Sequence, residues 1–218
     1  NEDAMRVVAV IPAKGHSVGV PGKNKKPMLG KPLFLWSVEQ ALAVGLQTYV
    51  SSDDPEILHL AERAGAIALT RPSNLCLDST STEAVVKDAV SQMIAEPHII
   101  VLLQPTNPCR RMKDIKECLA MIPKYDSILS VVPSHRFLWM NSKSLNYDYN
   151  KRPSRQNLSP QYMENGCIYV SKYNGYDNRL WGEIGLYVQD YWSSFEIDSL
   201  NDWDTVEFAL KKMKCQLT

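Results

Sequence analysis

Near its start the chain reads RVVAVIPA from Arg6 to Ala13, a β-branched apolar run closed by a proline. A segment apolar on both faces cannot be a half-exposed strand; it belongs inside a parallel sheet covered on both sides. A loop bearing Gly15, Gly19, Gly22, Pro21 and Pro27 follows it. Strand-like and helix-like segments then alternate. Pro32 opens a helix whose apolar face carries Leu35, Val38, Ala41 and Leu42 and which stops at Gly45. Thr48 to Ser51 is a second strand. Asp53, Asp54 and Pro55 start a second helix, ended by Gly65. Thr80 and Glu83 have the spacing of a capping box ahead of Val86, Ala89, Val90 and Met93. His98 to Gln104 contains a further buried strand, a helix follows around Asp114 to Met121, and Ser127 to Val132 returns as a strand. This order predicts an α/β fold, a mostly parallel sheet with helices on both faces. Such sheets bind ligands at the carboxyl ends of their strands, here the loops after Ala13, Ser51 and Gln104.

From Ser134 to about Ser171 the texture turns aromatic, basic and Asn-rich, with Pro153 and Pro160. The expectation is a β-hairpin arm over 134–171, inserted into one domain spanning 1–218. Ile184 to Val188 and Ser194 to Ile197 read as returning strands, and Leu200 to Met213 as a closing helix with Trp203, Val206, Leu210 and Met213 inward.

Composition excludes several functions. Lys plus Arg and Asp plus Glu both number 24, so the net charge is zero. A neutral chain is a poor wrapper of nucleic acid or acidic lipid, and the arm's aromatics Phe137, Trp139, Tyr147, Tyr149 and Tyr162 lack the basic groove a stacking platform needs. No apolar run reaches the roughly 18 residues of a membrane span. Residues Asn1 to Ala4 lack the layout of a secretion signal. The five cysteines (Cys76, Cys109, Cys118, Cys167 and Cys215) show no C-x-x-C pair, and the histidines are scattered. Reduced thiols in a cytoplasmic protein are expected.

The chemistry sits in the loops. Pro12 to Asn24 reads PAKGHSVGVPGKN. Glycines let backbone N–H groups face an anion, and Lys14 and Lys23 add charge, with Lys25 and Lys26 extending the patch. This is phosphate-site chemistry, against the alternative of a solvated basic loop. SSDD at 51–54 reads as a helix cap. At 104–110, QPTNPCR opens with Gln104, whose amide offers both a donor and an acceptor to a base edge. Near the end, FEIDSLND carries Glu196 and Asp198 two residues apart, on one face if the segment is a strand. Mg²⁺ commonly joins one or two such carboxylates to substrate phosphates. The alternative is that Asp198 or Ser199 caps the last helix, with Asp202 in its first turn.

Taken together, PAKGHSVGVPGKN, Arg71 with LCLDSTS, LLQPTNPCR, KRPSRQ, ENGCIYV and EIDSLND resemble, in order and over about Arg6 to Lys212, the acylneuraminate cytidylyltransferases. The resemblance implies a Rossmann-like α/β domain with a β-hairpin dimerisation arm. It implies that the anomeric hydroxyl of a nonulosonic (sialic-type) keto-acid sugar attacks the α-phosphate of CTP and releases pyrophosphate. Positioning and charge neutralisation would do most of this chemistry. By the resemblance, Ala13, Lys14, Ser17, Lys23 and Asn24 hold the triphosphate; Arg71, Ser81 and Gln104 meet the cytidine; Glu196 and Asp198 bind Mg²⁺; and Lys14, Lys23 and Asp198 are the catalytic set. Gln104, Arg155, Gln156, Glu164 and Asn165 would reach the sugar, and the arm would pair two copies into a homodimer. The RPSRQ and ENG stretches look like the sialic acid branch rather than that for 3-deoxy-manno-octulosonate.

The first loop departs from the family pattern. Lys14 stands where the family carries Arg, His16 in place of a Gly, and Val18 in place of a second Lys. An ammonium is a point charge where a guanidinium grips phosphate with a fork. This keeps open a second reading: a weakly active or inactive homologue that binds CTP or CMP-sugar as a sensor or partner subunit.

Overall fold

A computed structural model describes residues 4–215; Asn1–Asp3 and the thiol of Cys215 lie outside the described residues. The main sheet has seven strands: β1 (Val7–Pro12), β4 (Gln47–Ser52), β5 (Ile67–Thr70), β6 (Ile99–Leu103), β7 (Ser127–Ser134), β10 (Gln161–Lys172) and β11 (Ile184–Val188), in the order β11-β7-β10-β6-β1-β4-β5. All neighbours pair in parallel except β10, which runs antiparallel to both β6 and β7. Two short hairpins complete the strands: β2 (Pro27–Met28) with β3 (Lys31–Pro32), and β8 (Trp139–Met140) with β9 (Lys143–Ser144).

The central strands are buried on both faces, as their continuous apolar sequence requires. Every residue of β6 is buried. On one face Ala9, Ile11, Val101 and Leu103 pack under α1 (Leu33–Ala43), α2 (Pro55–Ala64) and α4 (Met112–Met121). On the other, Val8, Val10, Ile100 and Leu102 meet Val86, Ala89 and Val90 of α3 (Thr82–Ser91). The last helix, α5 (Leu200–Cys215), packs Trp203, Val206, Leu210 and Met213 against Val20, Met28, Leu33 and Trp36, and so ties the end of the chain to the first loop. Among the described residues no helix is long and apolar enough to cross a membrane. Cys109, Cys118 and Cys167 are buried free thiols, and Cys76 is half-buried.

The helix starts follow local chemistry. Asp54 caps α2, accepting from the N–H groups of Glu56 and Ile57, with Pro55 in the first turn and Gly65 left-handed at the end. The expected Thr80–Glu83 capping box is not formed. Ser81 caps α3, accepting from Ala84 N–H at 3.2 Å, and Glu83 instead pairs with Arg179 at 2.6 Å.

Two expectations are corrected downstream. Ser194–Ile197 is not a strand: Tyr191–Ser194 forms a 3₁₀ turn and the chain then runs irregularly into α5. The excursion from the sheet spans 135–160, not 134–171, because Gln161–Lys172 is β10, wedged between β6 and β7. Its apolar CIYV core favours burial over a free arm. The excursion holds the β8–β9 hairpin and two 3₁₀ turns. Its aromatics pack on one another: Phe137 and Tyr147 lie 4.5 Å apart, Trp139 donates to the Tyr147 hydroxyl at 2.9 Å, and Arg152 stacks on Phe137 at 4.2 Å.

Ile100, fully buried between α3 and the sheet, gives the test of this core. Ile100→Ala is expected to lower unfolding stability by about 2–5 kcal/mol, read as a lower urea midpoint at unchanged m-value.

Candidate active site

The loop after β1 stays close to the sheet rim because two glycines permit close approach. A Cβ on Gly15 would lie 2.7 Å from the Cβ of Asp54. A Cβ on Gly19 would lie 2.1 Å from the backbone oxygen of Asp198, a contact no side chain can make. The loop and the acidic segment near the end of the chain are therefore pressed backbone to backbone. Lys23 reinforces the join by donating to the Ile197 carbonyl at 3.2 Å, and the Ile197 N–H donates to the Thr106 carbonyl at 2.9 Å. Three loops distant in sequence meet at the carboxyl end of the central strands.

Between them lies a cavity of about 180 Å³ lined by Lys14, Ser17, Lys23, Asn24, Arg71 and Gln104. Six predicted nucleotide-binding residues thus share one cleft. Ala13 is wholly buried beneath the loop, and Ser81 serves as the cap of α3, whose neighbours Thr80 and Thr82 line the wall. Sequence reasoning missed those threonines, Thr106 and the loop residues Leu75, Leu77 and Asp78. The carboxylate in LCLDSTS was the available signal for Asp78, which pairs with Lys14 at 2.6 Å. Arg71 is held by the hydroxyl and carbonyl of Ser51 at 3.1 and 2.9 Å. The Asn24 amide donates to the Lys14 carbonyl at 2.9 Å, and its own buried oxygen has no hydrogen-bond partner among the described residues. The basic patch is smaller than expected. Lys25 is spent on Asp54 and Glu56 at 2.8 and 2.9 Å, and Lys26 stacks on Trp203 at 4.7 Å. Gly15 N–H is taken by Asp53 at 2.8 Å.

Electrostatics mark the rim. Burial lowers the pKa of Lys23, Asp198 raises it, Lys14 lowers it further and Glu196 raises it. Glu196 is pushed up by desolvation, then by Asp198, Asp202 and Glu164, with Lys23 opposing. Glu196 and Asp198 thus crowd each other beside Lys23 even without strand alternation to align them. Of the capping alternative, Asp202 does lie in the first turn of α5. The Asp202 carboxylate takes the N–H groups of Asp198 and Ser199 at 3.0 and 2.7 Å, and the Asp198 carboxylate accepts no hydrogen bond among the described residues. Among these residues no group of three or more His, Cys, Asp or Glu is placed to hold a metal ion.

The sugar-side residues are scattered. Asn165 is buried and fully engaged: its amide donates to Gln189 and the Ser193 carbonyl, both at 2.8 Å, and its oxygen accepts from Ser130 at 2.7 Å. It positions the chain and presents no free polar atom to a ligand. It sits in a β-bulge of β10, where Gly166, at φ 63°, leaves room for the Glu196 carboxylate. Glu164 accepts from the Tyr169 hydroxyl. Arg155 and Gln156 are exposed on the excursion; Arg155 lines a separate basic pocket with Arg136 and Arg152, not the Lys23 cleft.

A doubly covered, mostly parallel sheet with two lysines lining a cavity at its rim defines an α/β protein of Rossmann-like architecture. The chain belongs to the cytidylyltransferase family, whose model matches residues 8–213. It is 32% identical to N-acylneuraminate cytidylyltransferase B of Danio rerio over 91% of this chain and 50% of that one. It is 28% identical to pseudaminic acid cytidylyltransferase of Campylobacter jejuni over 94% of this chain and 95% of that one. The chain spans about half the length of the Danio relatives it matches. In fold it is similar to CMP:2-keto-3-deoxy-manno-octonic acid synthetase, solved with CTP, at TM-score 0.72 and 19% identity over 95% of this chain and 99% of that one.

Two outcomes are expected. Gly19→Ala must part the loop from the 196–198 backbone, and titration calorimetry should show CTP affinity lower by about tenfold or more. Phosphates bound beside Lys23 would raise its lowered pKa, so that nucleotide binding there would take up a proton at alkaline pH. CTP affinity should fall as pH rises through the Lys23 pKa, and the buffer dependence of the binding enthalpy should report the uptake; Lys23→Gln should abolish both.

Proposed function

We propose that the chain transfers CMP from CTP to the anomeric hydroxyl of a nonulosonic acid sugar, releasing pyrophosphate. The observation that carries this reading is the convergence of Lys14, Lys23, Arg71 and Gln104 on one rim cavity beside Glu196 and Asp198. Lys14 and Lys23 grip the triphosphate and offset the charge that builds on the departing pyrophosphate. Gln104 offers its amide to the base, and Arg71 lines the same wall. The buried, unpartnered Asn24 oxygen accepts from a ligand hydroxyl or a bound water.

The donor set suits Mg²⁺. Two crowded carboxylates with no imidazole or thiol are hard-oxygen ligands, and Mg²⁺ completes its shell with water and substrate phosphate. Glu196 and Asp198 would hold it. When bound it supplies charge neutralisation at the phosphates. We infer further that the protein works in the cytoplasm as a homodimer, the 135–160 excursion carrying Arg155 and Gln156 toward the sugar site and the partner. Its exposed Leu138, Trp139, Met140 and Tyr149 are interface chemistry.

One observation favours the slower, sensor-like reading. Lys14, in the place of the family's Arg, is already engaged by Asp78 and must exchange that partner for phosphate.

Pyrophosphate release is the test, with CTP or UTP, with and without Mg²⁺, and N-acetylneuraminic, legionaminic and pseudaminic acids in turn. Release with CTP and one sugar, lost on removing Mg²⁺ and reduced at least about a hundredfold in Asp198→Asn, is expected. CTP binding without release from any sugar would favour the sensor. Lys14→Arg is expected to raise kcat/KM several-fold; no gain would show that the substitution costs nothing.

A further inference from the structure

The segment 173–183, which joins β10 to β11, is strapped across α3 at two points. Asp177 pairs with Lys87, and Arg179 pairs with Glu83, one turn earlier on the helix. Between these ties Tyr176 is driven into the core. It is 1% exposed, shares a cluster with Val86, Ala89 and Val90 of α3, and takes φ 58°. A bulky side chain adopts that left-handed backbone only where its surroundings enforce it. The two ties are unequal. Lys87 and Asp177 are exposed, so their pair holds little. The Arg179 and Glu83 side chains are each only 20% exposed, and their contact is forked: Nε donates to Oε1 at 2.6 Å and Nη2 to Oε2 at 3.2 Å.

Arg179 faces two ways. Glu83 lies in the first turn of α3, between Thr82 and Val85, which line the nucleotide cavity together with Thr80. The guanidinium also lies over the Tyr169 ring, 5.0 Å from its centroid. The Tyr169 hydroxyl in turn donates to Glu164 on the same strand. Burial, then Asp198, Asp202 and Glu164, push up Glu196, so the Glu164 charge reaches the acid pair. Under the cytidylyl-transfer reading above, on which this rests, the sugar must meet the nucleotide phosphates beside that pair. One side chain therefore touches the turn that walls the nucleotide cavity and the tyrosine that holds a carboxylate on the sugar side. A lysine keeps the charge but cannot make a two-point grip and a stacked plane at once. We propose that Arg179 is a positioning residue shared by the two substrates: its fork sets the α3 turn at the nucleotide cavity, and its plane sets Tyr169 and, through it, Glu164.

The experiment uses the full chain with Mg²⁺, CTP and the three keto-acid sugars in turn. It measures kcat, the KM of each substrate, and CTP binding by titration calorimetry; where no pyrophosphate is released, sugar binding to the CTP-loaded chain replaces the sugar KM. Arg179→Lys should weaken both CTP and the sugar by about tenfold, with kcat changed less than about twofold. Glu83→Gln loosens the grip on α3 alone and should weaken CTP by a smaller factor, leaving the sugar unchanged. Tyr169→Phe keeps the ring under Arg179 and loses the hydroxyl on Glu164, so the sugar alone should weaken. These two variants carry the test if Arg179→Lys does not fold. Combining Glu83→Gln with Arg179→Lys should weaken CTP no further than Arg179→Lys does, since both act through one pair. Lys87→Ala opens the other tie and should leave both substrates within about twofold of wild type. The inference is overturned if Arg179→Lys moves one substrate only, or lowers the urea midpoint while both affinities hold. It is overturned equally if Lys87→Ala weakens both substrates as much, because the strap would then be general scaffolding. A wild-type chain that binds neither CTP nor any of the sugars would instead remove the reading itself, and this inference with it.

Discussion

The contact on which the site depends is the backbone approach of Gly19 to the carbonyl of Asp198. It joins the first loop of the chain to its last before α5, with most of the fold between them. Such a join costs loop-closure entropy and needs compensation from both sides. The compensation is visible. Val20 and Met28 from the loop region share a core with Ile197, Trp203 and Val206, so burial of apolar area holds the ends together. The hydrogen bonds of Lys23 and Thr106 to either side of Ile197 set the register of that contact. Lys23 from one loop and Glu196 and Asp198 from the other then feel one another's charge without forming a salt bridge among the described residues.

A second layer supports the first. Asn107 and Asn165, both buried, share the Ser193 carbonyl as acceptor, and Asn107 also donates to the Asn165 carbonyl. Buried amides of this kind are stable only when fully bonded, and once bonded they specify one geometry. They fix the 3₁₀ turn at Tyr191–Ser194, and with it the launch angle of the acidic segment. The β-bulge at Asn165–Gly166 belongs to the same device, since an ordinary side chain at Gly166 would meet the Glu196 carboxylate.

Much of this was legible in the sequence, for reasons that differ by element. The buried strands could be read because double-sided burial demands continuous apolar residues, as in IIVLL, and α2 because Asp54, Pro55 and Gly65 each have one local reason to be there. Of the six cavity residues, Lys14, Lys23 and Gln104 could be found because loops at strand carboxyl ends are where such sheets bind, whereas Ser17, Asn24 and Arg71 came from the family resemblance. What failed was non-local. The sequence 161–172 alternates little and begins polar; that it is a sheet strand depends on β6 and β7 being present to receive it. Ser81 rather than Thr80 caps α3, and Glu83 pairs with Arg179, nearly a hundred positions away, instead of closing a box. Asn165 looked like a polar ligand group and is an internal strut, a distinction only burial can make.

The charge distribution carries the same lesson one step further. A chain with zero net charge and a run of three lysines among four residues at 23–26 could be read as a diffuse basic patch. Folding disposes of two of them: Lys25 against Asp54 and Glu56, Lys26 over the face of Trp203. Exposed pairs of this kind contribute little stability, but the carboxylates beside Lys25 offset its charge, while Lys26 keeps its own over the Trp203 face. Lys23 then stands partly desolvated with two acids and one lysine as its nearest charges, and Lys14 with Asp78. The positive character of the cavity comes from this local sorting and not from overall charge. A partly desolvated lysine gains more from an arriving phosphate than a solvated one does, because less water must be displaced and the field is screened less.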